Sequence, residues 1–161
     1  MSALLASLLL ASQGPVVLPI ELDNYLPRSD QLDGRWVEFD AYVYWIRTRT
    51  AHPVLSALTG EETRLRSGRR VTACADNNEA TLAVVMRGTG LGPLGRRAAR
   101  PRDAYVGVRV RGIFHNRPYS YRLGGVDAEW GAVVDHARIV RVTGTRCLVN
   151  PRVAEEAAAR H

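Results

Sequence analysis

A chain of 161 residues, 46% hydrophobic and 24% charged, is long enough for one domain with an adequate core and too apolar for a disordered polymer. Its formal charge is +6, and every basic side chain is arginine, with no lysine. No apolar run is long enough for a transmembrane helix, which needs about 20 residues.

Residues 1–20 carry no charged side chain, the first being Glu21. Within them Ala3–Ala11 is a compact apolar stretch followed by Ser12, Gln13 and Gly14. That length fits the h-region of a secretory signal peptide, although the basic n-region is missing; the other reading is a short buried helix. Residues 1–14 are therefore expected to be a signal peptide. Residues 15–33, with Pro15, Pro19 and Pro27, read as an extended lead-in with a turn near Leu22–Tyr25. Residues 34–149 read as the folded domain and 150–161 as a short helical tail.

Asp33-Gly34 is a turn signal that opens the first long strand, Trp36–Ile46. Val37, Phe39, Ala41, Val43 and Trp45 recur at every second position, so a pleated strand gathers them on one face. Residues 47–69 read as a polar connection in which Val54–Leu58 forms a short helix stopped by Gly60. Arg70–Ala75 and Thr81–Met86 read as a hairpin, reversing through Asp76–Glu79. Residues 87–103, rich in glycine and arginine, read as a basic loop with little helical capacity. Ala104–Phe114 is the second long alternating strand, with Val106, Val108, Val110 and Phe114 on its core face. An excursion through Arg117–Arg122 and Gly124-Gly125 follows, then a last strand within Ala132–Val142. Asn150 is a helix cap with Pro151 in the first turn, which starts the short Ala-rich tail helix.

Cys74 ends a predicted strand and Cys147 follows the last one. In an oxidising compartment such a pair forms a disulfide worth about 4 kcal/mol; otherwise they are two unpaired thiols. There is no C-x-x-C and no close Cys/His set, so neither a metal site nor a cofactor is expected. Gly88–Gly95 lacks the Gly-Lys-Ser/Thr ending of a phosphate loop, and no Gly-x-Ser-x-Gly or His-Glu-x-x-His motif occurs. Asp135 and His136 are neighbours in a strand, whose side chains point to opposite faces, so the carboxylate is not expected to orient the ring. Cys74 beside a histidine would be the remaining nucleophile. The reading is a non-catalytic protein.

The positive charge is not spread evenly. Residues 13–60 carry 4 Arg against 6 acids, residues 61–122 carry 13 against 5, and residues 123–161 carry 5 against 5. A clustered positive field attracts polyanions, and a plain solvated surface can carry the same run. The outward face of the first strand holds Trp36, Glu38, Asp40, Tyr42 and Tyr44; that of the fourth holds Tyr105, Arg109 and Arg111. If neighbours, these strands make one aromatic and charged surface suited to bases, sugars, phosphates or carboxylates. The alternative is cross-strand packing, with arginines pairing to Glu38 or Asp40. Arg117 and Tyr119, in the segment after the fourth strand, are further candidate ligand contacts, with an ordinary polar turn as the alternative. The ligand set is thus Tyr42, Tyr44, Arg109, Arg111, Arg117 and Tyr119.

The order of Gly34 with strand 36–46, hairpin 70–86, a strand bearing Gly107 and Gly112, and Asp135–Ile139 in the last strand resembles an OB-fold. The resemblance covers residues 34–142. It implies an all-β, five-stranded Greek-key barrel that binds oligonucleotides, oligosaccharides or proteins on strands two and three and nearby loops. It departs from many OB-folds where a Gly/Arg loop replaces the helix between strands three and four. The expectation is a periplasmic or secreted envelope module binding an anionic ligand or a protein partner. The alternative is a cytoplasmic single-stranded nucleic-acid binder.

Overall fold

The computed structural model describes residues 14–46, 51–75, 82–99, 104–123 and 126–158. Strand β1 (Val17–Pro19) leads into two 3₁₀ turns and a single α-turn, α1 (Ser29–Leu32). Then come β2 (Trp36–Ile46), β3 (Val54–Leu58), β4 (Gly60–Arg64), β5 (Arg70–Cys74) and β6 (Leu82–Met86). The second half holds β7 (Ala104–His115), β8 (Tyr119–Leu123), β9 (Val126–Trp130), β10 (Ala132–Leu148) and α2 (Pro151–Ala158).

Five of these strands close on themselves. β2 pairs antiparallel with β3, β3 antiparallel with β6, and β6 parallel with β10. β10 pairs antiparallel with β7, and β7 antiparallel with β2, which completes the ring. A closed five-stranded Greek-key barrel in this order is an OB-like fold. β1 lies parallel to the start of β2, from Val17↔Trp36 to Pro19↔Glu38.

Alternation explains the closure. Val37, Phe39, Ala41 and Val43 of β2 face inward with Val106, Val108, Val110 and Phe114 of β7. Each such valine or phenylalanine, removed from water, contributes roughly 1.5–3 kcal/mol. Trp45 is partly buried against the same core. Gly112 lets β10 pass close: a Cβ there would sit 2.5 Å from a Val134 methyl and 2.8 Å from the Asp135 carbonyl oxygen.

Several expectations are corrected. Val54–Leu58 is barrel strand two, not a helix; all five residues are buried, so no face of the segment shows a polar period. The hairpin expected over 70–86 does not form. β5 pairs with β4, from Gly60↔Cys74 to Arg64↔Arg70, while β6 joins β3 and β10. The supposed reversal Asp76–Glu79 lies outside the described residues. The last strand runs to Leu148 and so contains Cys147. Gly92–Ala99 is 3₁₀-helical, broken at Gly95 (φ 45°), and it inserts fully buried Leu94 into the core. Short 3₁₀ turns suit a sequence too rich in glycine for an α-helix.

Two hairpins decorate the barrel. β4–β5 is tied to β10 by the Cys74–Cys147 disulfide, with Leu148↔Ala73 as the paired register. β8–β9 forms a separate two-stranded sheet and packs on the barrel through side chains.

Candidate functional site

The outer face of β2, β7 and β10 carries a charge ladder. In register, Asp40 lies opposite Arg109, which lies opposite Arg141; Glu38 lies opposite Arg111, which lies opposite Arg138. Arg109 donates two hydrogen bonds to Asp40, Nε to Oδ1 at 2.8 Å and Nη2 to Oδ2 at 2.6 Å. Arg111 Nε donates to Glu38 Oε2 at 2.7 Å, and its Nη2 lies 2.5 Å from the same oxygen. Glu38 Oε1 is 3.7 Å from Arg109 Nη1, so Glu38 bridges both rows. The Arg109 hydrogen bonds, aided by its charge and that of Arg141, hold the Asp40 carboxyl below its ordinary range. Asp40 in turn raises the Arg109 guanidinium.

Two shallow clefts meet at Asp40. One, about 420 Å³, runs between Pro19–Asp23 and Glu38, with Thr59, Gly60 and Arg109 at its rim. The other, about 260 Å³, lies over Gly107 and is lined by Tyr42, Arg141, Thr143 and Thr145. A Cβ at Gly107 would collide with both threonine hydroxyls, so only glycine lets them settle there.

The sequence-predicted ligand residues divide into two groups. Tyr42, Tyr44, Arg109 and Arg111 share this face. Both arginines are ion-paired, Tyr44 stacks on Tyr105 with ring centroids 4.7 Å apart, and the Tyr42 ring lies over Gly60. Arg117 and Tyr119 lie elsewhere, Arg117 exposed in the turn after β7 and Tyr119 on β8 against Trp130. Burial, and then the Asp135 charge, raise the Tyr119 hydroxyl pKa. Arg138, Arg141, Thr143 and Thr145 were missed, because β10 shifts register between Asp135 and Arg138 and again between Ile139 and Arg141. A shift of this kind changes which residues point outward.

The opposite outer face, on β3 and β6, is covered. Trp130 and the tyrosines of β8 pack over Ala83, Val85 and Val133. Trp130 Nε1 donates to Ser56 Oγ at 3.1 Å, which satisfies a buried hydroxyl in an apolar seam.

Among the described residues no group of three or more His, Cys, Asp or Glu could hold a metal ion. His136 sits at a bulge with φ 50°, which breaks strand alternation and brings its Nδ1 to 3.7 Å from Asp135 Oδ1, too far for a hydrogen bond; that oxygen accepts the His136 backbone N–H at 2.7 Å instead. Cys74 is oxidised and so offers no thiolate.

No protein-family model matches this chain. No curated protein matches it either. Among solved structures it is similar to a Plasmodium falciparum SSB in complex with ssDNA, at 12% identity and a TM-score of 0.29, over 71% of this chain and 91% of that one.

Proposed function

We propose that this protein is a non-catalytic binding module of an oxidising compartment outside the cytoplasm, with its ligand face on β2, β7 and β10. The observation that carries this reading is the seating of β8–β9. That hairpin occupies the strand-two and strand-three surface on which OB-folds generally bind, and leaves the charged face open. The Cys74–Cys147 bridge supports an oxidising location. The apolar stretch Ala3–Ala11 supports export, with residues 1–14 as the leader, 15–33 the lead-in, 34–149 the barrel and 150–161 the tail. An anionic ligand or a protein partner with an acidic surface suits the face.

A second reading, an intracellular single-stranded nucleic-acid binder, is favoured by Arg138 and Arg141. Both are exposed, and among the described residues neither makes an ion pair within 4 Å. Fractionation of the native host with N-terminal sequencing separates the two. A mature terminus near residue 15 outside the cytoplasm supports the first reading; an intact Met1 in cytosol overturns it in favour of the second.

A further inference from the structure

We infer that Arg138 and Arg141, with the Thr143–Thr145 hydroxyl pair, form a subsite for an extended phosphodiester backbone, read through its phosphates and not its bases; this rests on the binding face proposed above. Each row of the ladder sets one carboxylate against two guanidiniums, Asp40 against Arg109 and Arg141, Glu38 against Arg111 and Arg138. Like charges directly opposite across an antiparallel pair repel. The carboxylates are hydrogen-bonded by Arg109 and Arg111, so each row of one carboxylate and two guanidiniums keeps a net charge of +1 toward β10.

The ligand that completes both rows carries one negative charge per row. The rows are two residues apart along β7, or about 7 Å. A phosphodiester chain carries one charge per repeating unit, and an extended sugar–phosphate unit spans a step of that size. Beside Arg141, the Thr143 and Thr145 hydroxyl oxygens are 2.7 Å apart. One donates to the other, so the accepting hydroxyl keeps its own proton for an oxyanion oxygen. The cleft above Gly107, about 260 Å³, has room for a phosphate group between Arg141 and these hydroxyls. The tyrosine rings beside this subsite are occupied: Tyr44 lies on Tyr105, and Tyr42 covers Gly60.

The test is fluorescence anisotropy of the full, disulfide-bonded chain with two labelled probes of equal length, oligo-dT and the same deoxyribose-phosphate chain without bases. The two probes are expected to bind alike. For two phosphates on a single strand, log affinity should fall with log salt at a slope of about −1.4. Arg138→Ala/Arg141→Ala should flatten that slope toward zero while melting as the parent does. Arg138→Lys/Arg141→Lys, which keeps the charge, should retain most of the slope. Binding of oligo-dT but not of the abasic chain overturns the inference, as does binding untouched by the alanine pair. Failure of both probes overturns it too. In that case, capture of a polyuronate or sulfated glycan, lost in the alanine pair, leaves the binding face standing.

Discussion

Reducing the Cys74–Cys147 bridge should lower stability by about 4 kcal/mol. The cysteines are 73 residues apart, and opening a loop of that length restores chain entropy of that size to the unfolded ensemble. For a chain of this length the corresponding drop in melting temperature is roughly 8–16 °C. The loss has a structural address as well. The bridge pins the β4–β5 hairpin to the end of β10, where Leu148↔Ala73 is the paired position, so reduction frees that hairpin and uncovers Tyr42. The assay is urea or thermal unfolding of oxidised and reduced protein, with thiols counted under denaturant. Cys74→Ala/Cys147→Ala should match the reduced protein or fall slightly below it, since Cys147 is fully buried and truncation leaves a void. Two titratable thiols in protein from an oxidising preparation, or equal midpoints with and without reductant, would refute the reasoning.

Three further outcomes follow from the geometry. Trp130→Phe leaves Ser56 Oγ without its donor in a dry seam, at a cost of about 1–3 kcal/mol, and hydrogen exchange should quicken in 119–130 with little change in β7. Gly107→Ala drives a methyl into the Thr143 and Thr145 hydroxyls and should cost about 1–3 kcal/mol by urea titration. Asp40 has a depressed carboxyl pKa in the fold, so its ion pair stabilises above the ordinary value of 3.8 and that gain disappears as pH falls through the folded value. Asp40→Asn should therefore be less stable than the parent at neutral pH, by under about 1 kcal/mol because the pair is half exposed, with the difference vanishing in acid.

The inner lining of the barrel was legible because period-two patterning survives in β2 and β7, each with one dry and one wet face. It failed at Val54–Leu58, where β8–β9 dries the outer face too and erases the alternation. It failed again at 70–86, since Arg70–Cys74 alternates as well against β4 as against β6, and local pattern does not choose between partners. Half of the charged face could be read: Asp40 and Glu38 sit across from Arg109 and Arg111 because two long regular strands keep parity. Arg138 and Arg141 could not, because the bulges in β10 change the count of residues between them. The seating of β8–β9 rests on packing over Ala83, Val85 and Val133 and on a Trp130–Ser56 hydrogen bond between segments 74 residues apart, which no local pattern announces.

The most direct measurement is amide chemical-shift mapping of labelled protein titrated with the abasic phosphodiester chain. Shifts confined to 38–40, 107–111 and 138–145 are what a ligand on the β2–β7–β10 ladder produces. Shifts centred on 54–58, 82–86 and 119–130 would place the ligand beneath the β8–β9 hairpin and contradict the account.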